Sequence, residues 1–77
     1  MSEFEDRLVR CFGLVFPGLS NEDVVVLDAE SSGAWDSLST VTLGAVIQEE
    51  FGIEIDPVQL SEMTSYEAFR AYLADAN

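Results

Sequence analysis

The chain of 77 residues places one serine between an aspartate and a leucine near its middle, Asp36-Ser37-Leu38. A serine hydroxyl becomes a nucleophile when a nearby base accepts its proton. The chain has no histidine, and its three basic residues are all arginines. A neighbouring aspartate alone does not complete a nucleophile, base and orienting group. We therefore expect no catalytic residue and no enzyme activity, and we interpret Ser37 as a hydroxyl that another enzyme modifies.

Metal chemistry is not expected either. Cys11 is the only cysteine, which excludes an internal disulfide and a multi-cysteine metal site. The acidic residues do not have the D-x-D-x-D-G spacing of a calcium loop. Cys11 falls on the apolar stripe of the first predicted helix, and we expect it to be a buried structural thiol.

The charge of the chain restricts its partners. Fifteen acidic residues against three arginines give a net charge of −12. Nucleic acids and anionic membrane surfaces need basic patches, so we expect neither as a partner. The expected partners are proteins with basic surfaces, which the negative charge of the chain attracts over long range. We expect the protein itself to be a monomer. The acidic N-terminus lacks the apolar region of a secretory signal, and no run has transmembrane length, so we expect a cytoplasmic protein.

Ser37 is predicted to lie at the start of a helix over residues 36–51. Asp36 is a favourable N-cap residue, and Gly52 is a typical stop. The apolar residues of this helix form two stripes, whereas a helix in a small domain normally buries one. One stripe is predicted to be core: Leu43, Ile47 and Phe51. The other is predicted to be exposed and to dock partners: Leu38, Val41 and Ala45.

The remaining segments predict an all-α fold in one domain, residues 1–77. Residues 3–15 form an amphipathic helix with a Ser2–Glu5 capping box. Residues 16–35 form a long first loop with one short helical turn after Ser20, and its valines form either a strand or, as we prefer, a loop anchored in the core. Pro57 begins a short helix, and a Thr64–Glu67 capping box begins the last one. The result is a small four-helix bundle with three longer helices and one short helix.

This pattern resembles an acyl carrier protein over essentially the whole chain. The residues that carry the resemblance are Asp36-Ser37-Leu38, the helix end Glu49-Glu50-Phe51-Gly52-Ile53, the short segment near Leu60 and the helix start Thr64-Ser65. The resemblance implies that a phosphopantetheinyl transferase attaches 4'-phosphopantetheine from coenzyme A to Ser37, with Asp36 and Leu38 flanking the cofactor. The terminal thiol of the arm would then carry an acyl group as a thioester.

The resemblance also implies that acids of the same helix contact basic surfaces on acyl-loading and acyl-processing enzymes. We favour Glu49 for this role, followed by Glu50 and Glu54. The chain departs from the common fatty-acid carrier pattern at four helix positions: Ser39, Thr42, Ala45 and Gln48. These departures, and the run Gly33-Ala34-Trp35 before Asp36, resemble stand-alone carriers of specialised pathways. We expect Trp35 to pack as an apolar residue before the cap, although it could instead cover the base of the arm.

Besides an acyl carrier of fatty-acid, polyketide or related biosynthesis, two alternatives are compatible with the sequence. A peptidyl carrier would use the same Ser37 but would be loaded by an adenylating enzyme. An acidic helical adaptor would carry no cofactor and would act by surface docking alone. The strong acidity and small size of the chain favour the acyl carrier over the peptidyl carrier.

Overall fold

The computed structural model describes residues 2–31, 33 and 35–76, except the side chain of Ala76. Within these residues five helices follow one another: α1 (Glu3–Val15), α2 (Asn21–Val25), α3 (Ser37–Phe51), α4 (Pro57–Glu62) and α5 (Tyr66–Ala76). The predicted all-α class is confirmed, with three longer helices and the short α4. The fifth helix, α2, is the short turn that was predicted inside the long first loop. Ala34, part of the run before Asp36, lies outside the described residues.

The first two helices begin at capping boxes, as local sequence chemistry requires. The Glu5 backbone N–H donates to the Ser2 hydroxyl at 3.2 Å, and the Glu5 carboxylate accepts from the Ser2 backbone N–H. Ser20 and Asp23 make the same reciprocal pair before α2. These bonds satisfy N–H groups that the first turn of a helix leaves without intrahelical partners.

The predicted Thr64–Glu67 capping box is wrong, because α5 begins one residue later. The Ala68 backbone N–H donates to the Ser65 hydroxyl at 3.0 Å, so Ser65 is the cap. The Thr64 carbonyl instead accepts from the Ala29 N–H at 2.7 Å, in an isolated antiparallel bridge between the first loop and the start of α5. Glu67 pairs with Arg70 one turn along the helix.

The loop valines have divided roles. Val24 is buried inside α2, whereas Val26, just after that helix, is 73% exposed. The preferred interpretation as a loop is therefore wrong for Val24 and Val25, which belong to α2, and the alternative of a strand is not found in the described residues. Leu27 continues past that helix and accepts a backbone hydrogen bond from the Tyr66 N–H at 3.0 Å, which fixes the loop against α5.

The core is aromatic and centres on Phe12 of α1. Four rings lie around Phe12 with centroids 5.3–6.3 Å away: Phe16, Trp35, Tyr66 and Phe69. Offset and edge-to-face pairs at such distances add to the stabilisation from burial itself. The buried Trp35 side chain confirms the packing interpretation, and Cys11 is buried as expected. Burial raises the pKa of the Cys11 thiol to about 11.

Helix α3 buries one of its two apolar stripes, as predicted. Leu43 and Ile47 are fully buried. Leu38 and Val41, on the other side, are 72% and 60% exposed. The C-terminal end of α3 is attached to α1 through Arg7, whose Nε lies 2.9 Å from a Glu50 carboxylate oxygen and whose guanidinium covers the Phe51 ring.

Candidate functional site

The site begins at Asp36, which starts α3. Its backbone is extended, and its Oδ1 accepts hydrogen bonds from the Ser39 N–H at 2.9 Å and the Ser39 hydroxyl at 3.0 Å. These bonds, above all the one from the backbone N–H, hold the pKa of the Asp36 carboxyl below its usual range. Asp36 is therefore a helix cap, as predicted, and its carboxylate stays ionised while it serves the helix end.

Ser37 is the first residue of α3, and its side chain is exposed. Among the described residues its hydroxyl makes no hydrogen bond, and the bonds of the neighbouring Asp36 go to Ser39. The hydroxyl therefore has no base within the described part of the chain, but it is accessible to another protein. The start of the helix also places the positive end of the helix dipole beside it, where an anionic group is favoured.

A groove of about 460 Å³ opens beside Ser37, between the N-terminal half of α3 and α4. Most of its exposed lining is apolar, and several of the lining residues carry hydroxyls. The lining residues are Ala29, Trp35, Asp36, Ser37, Thr40, Val41, Pro57, Leu60, Ser61 and Thr64. Trp35 shapes one wall, and its indole N–H donates to the Thr40 hydroxyl at 2.7 Å. The groove can therefore accommodate a chain that has both apolar and hydrogen-bonding groups.

Gly44 sets how closely α4 approaches α3. A Cβ atom at this position would lie 2.7 Å from a Leu60 methyl carbon, so the missing side chain makes room for Leu60. A glycine inside a helix costs about 1 kcal/mol relative to alanine, and this close approach is its structural reason. An isolated glycine in the middle of a helix is visible in the sequence. The sequence does not show that Leu60 packs against Gly44 or that a groove lies between their helices.

Gln48 has a structural role that sequence reasoning also missed. Its side-chain amide nitrogen donates to the Gly44 carbonyl at 3.0 Å, and its oxygen accepts from the Ile55 backbone N–H at 2.8 Å. It therefore joins α3 to the segment that leads into α4. The sequence alone shows only that Gln48 stands where other carriers often have an acid.

The residues predicted to dock partners do not form one cluster, because all but Glu54 are spread along α3 and Glu54 follows that helix in the segment before α4. Val41 lines the groove, whereas Leu38 is exposed outside its lining. Ala45, Glu49 and Glu54 are exposed. Glu50 is exposed but already accepts from Arg7 through one carboxylate oxygen. In residues 2–31, 33 and 35–76, no helix has the length and apolar character to cross a membrane, and no group of three side chains suits a metal ion.

A small all-α bundle with an exposed serine at a helix start beside a groove is consistent with the class of carrier domains. A model of the family described as the phosphopantetheine attachment site matches residues 30–73, more than half of the chain, and the chain belongs to that family. The resemblance to acyl carrier proteins seen in the sequence is thereby confirmed. Members carry 4'-phosphopantetheine and are in general non-catalytic carriers that interact with a phosphopantetheinyl transferase and with biosynthetic enzymes. No curated protein and no solved structure matches this chain.

Proposed function

We propose that this protein is an acyl carrier protein that holds acyl intermediates as thioesters on a 4'-phosphopantetheine arm attached to Ser37. It delivers them to enzymes of fatty-acid, polyketide or related specialised biosynthesis. The observation that carries the proposal is the exposed Ser37 hydroxyl, without a hydrogen bond among the described residues, inside the family match. The single-domain extent over residues 1–77 and the cytoplasmic location remain predictions of the same proposal.

In the attachment step, the Ser37 oxygen bonds to phosphorus and displaces the nucleotide part of coenzyme A. In this proposal the proton of the hydroxyl goes to a base on the transferase, because the bonds from Ser39 lower the pKa of the Asp36 carboxyl and make its carboxylate a weak base. The phosphodiester would be held by Ser37 at the N-terminus of α3, where the helix dipole favours negative charge. The attached group supplies a thiol on a flexible arm, which holds the acyl group.

The groove beside Ser37 fits this arm and part of its cargo. Its hydroxyls, among them Ser61 and Thr64, suit the polar part of the arm, and Val41 and Leu60 suit an acyl chain. Helix α4 buries none of its residues, so it can move with little loss of packing. We propose that an acyl chain enters between α3 and α4 and leaves when a partner docks. Hydrogen exchange should then be slower at the Leu60 and Ser61 amides in the acyl-loaded form, and equal exchange in both forms would exclude this entry.

Docking would use the exposed side of α3. Leu38, Val41 and Ala45 offer apolar area on the Ser37 side of the helix. Glu49, and Glu54 just after the helix, offer exposed carboxylates that make no ion pair among the described residues to a basic enzyme surface. Glu50 contributes less in this proposal, because Arg7 already compensates much of its charge. The net charge of −12 would accelerate the encounter with such partners at low salt.

The direct test is modification in vitro. The protein is incubated with coenzyme A, magnesium and a broad-specificity phosphopantetheinyl transferase, and its intact mass is measured. We expect a gain of one phosphopantetheine, no gain for Ser37→Ala, and an unchanged gain for Ser39→Ala, the nearest serine in the same helical turn. Absence of modification while a known carrier is modified in parallel, or modification of Ser37→Ala, would contradict the proposal.

The choice of an acyl over a peptidyl cargo rests on the acidity and small size of the chain. Formation of an aminoacyl thioester by an adenylating enzyme from the same host would instead favour a peptidyl carrier. A cofactor-free adaptor would retain its biological activity in Ser37→Ala. The family membership weighs against that adaptor, because members carry the prosthetic group.

A further inference from the structure

Leu14 departs from the burial pattern of α1. The other large apolar residues in the middle of this helix, Leu8, Val9 and Phe12, are buried in the core. Leu14 is 75% exposed, the highest value among the large apolar side chains that are exposed in the described residues. Apolar area left in water at one place is available for burial against a partner.

Leu14 borders a second groove, of about 400 Å³, between the C-terminal halves of α1 and α3. We call it the α1–α3 groove, and its lining residues are Leu14, Val46, Glu49 and Glu50. Leu14 and Val46 supply the apolar part of the lining, and the carboxylates of the two glutamates supply its acidic part, which we call the rim. The bonds from Arg7 to the Glu50 carboxylate at 2.9 Å and to the Glu50 carbonyl at 2.6 Å hold α1 against α3 nearby. The groove is therefore formed before any partner arrives.

The charge of the rim determines what can occupy the groove. The Glu49 carboxylate has no hydrogen bond or ion pair within the described part of the chain, and Glu50 uses only Oε2 for Arg7. The rim therefore keeps negative charge after its internal ion pair is counted. A second copy of this chain would bring a net charge of −12 against it and would be repelled. An arginine side chain suits both the apolar lining and the carboxylates of the groove, because its aliphatic stem covers apolar surface while its guanidinium binds carboxylates.

We propose that the α1–α3 groove docks a basic segment of a partner protein. The segment presents an arginine to Glu49 and a leucine-sized apolar side chain to Leu14 and Val46. Glu49 lies twelve residues after Ser37 in the same helix, about 18 Å along its axis at about 1.5 Å per residue. A partner bound here leaves Ser37 accessible. The inference extends the docking part of the proposed function to α1, and it does not require Ser37 to be modified.

The test is an NMR titration of the isotope-labelled protein, unmodified and modified at Ser37. The probe is a synthetic amphipathic helical peptide with leucines on one face and arginines beside them. We expect amide shifts centred on Leu14, Val46 and Glu49, with the same Kd for both forms of the protein. Leu14→Gln should weaken the Kd about tenfold through lost apolar burial, and Glu49→Gln should weaken it severalfold.

Matched variants separate the groove from general charge attraction. Val26→Gln changes an equally exposed apolar residue outside the groove, and Glu30→Gln removes an exposed acid outside it. Both should leave the Kd within about twofold, and a peptide with glutamines in place of arginines should bind at least about tenfold more weakly. Equal losses for Glu30→Gln and Glu49→Gln, shifts centred on Leu38 and Val41, or binding only after Ser37 modification would overturn the proposal. Failure of Ser37 modification, read by mass, would count against the proposed function alone.

Discussion

The side of the bundle around Phe12 and the side around α4 bury very different amounts of apolar surface. Phe12 packs against the rings of Tyr66, Phe69 and Trp35, and α1, α3 and α5 all contribute fully buried residues. Helix α4 contributes none and approaches α3 through the half-buried Leu60 over Gly44. Ser37 lies between a firmly packed side and a loosely held one. A short chain can therefore keep one fold through its aromatic core while it leaves a loosely held helix beside the exposed Ser37 hydroxyl.

The largest expected difference in stability is between one substitution in the core around Phe12 and one in α4. Leu43→Ala removes a fully buried side chain and should lower the free energy of unfolding by about 3 kcal/mol, because transfer and cavity costs add. Leu60→Ala should cost about 1 kcal/mol, because the side chain is half-buried and α4 can close over the space. Urea unfolding followed by far-ultraviolet circular dichroism measures both. Equal losses would mean that α4 is as firmly packed as the core.

Gln48 is expected to have the next largest effect, because it holds the loosely packed side in place. Gln48→Glu keeps an acceptor for the Ile55 N–H but loses the donor to the Gly44 carbonyl. We expect a loss of about 1 kcal/mol in the free energy of unfolding, together with faster hydrogen exchange at the Ile55 amide. Gln59→Glu, an exposed residue of α4, makes the same change in charge and should cost nothing. If both variants behave alike, added negative charge and not the lost bond is responsible.

Features that depend on neighbouring residues could be predicted from the sequence, whereas those that depend on contacts between distant segments could not. The helix starts at Ser2, Ser20 and Asp36 and the exposed stripe of α3 were predicted correctly, because caps and periodicity depend on residues a few positions apart. The cap of α5 was predicted wrongly, because the Thr64 carbonyl bonds to Ala29, far away in the chain. The groove was missed for the same reason, since it depends on how α4 meets Gly44. The attachment at Ser37 and the docking roles remain predictions.

A smaller effect is expected inside the firmly packed side. The Tyr66 hydroxyl is buried and has no hydrogen-bond partner among the described residues. A buried polar group without a partner lowers stability, so Tyr66→Phe should raise the free energy of unfolding by up to about 1 kcal/mol. For a domain of this size, that corresponds to a rise in Tm of up to about 4–8 °C by calorimetry. A lower Tm would indicate that the hydroxyl is hydrogen-bonded in solution, for instance to a buried water. Tyr72→Phe, at a half-buried tyrosine of the same helix, is the control and should change Tm little.

The smallest expected effect is the pH dependence of stability that arises from Asp36, the cap of α3 beside the groove. Its folded-state pKa is held below the ordinary value by the bonds from Ser39, so the unfolded chain binds this proton more readily. The stabilisation is therefore complete above the ordinary aspartate pKa of about 4 and is lost as the pH falls through the lower folded value.

Asp36→Asn keeps a capping oxygen but cannot titrate. Thermal unfolding of both proteins should give a constant difference in stability at neutral pH, and this difference should change in favour of the variant only in acid. A difference that already varies between pH 5 and 7, or that does not vary at all, would show that the Asp36 pKa is not lowered. The Ser39 amide resonance should report the same low midpoint directly, because the Ser39 N–H bonds to this carboxylate.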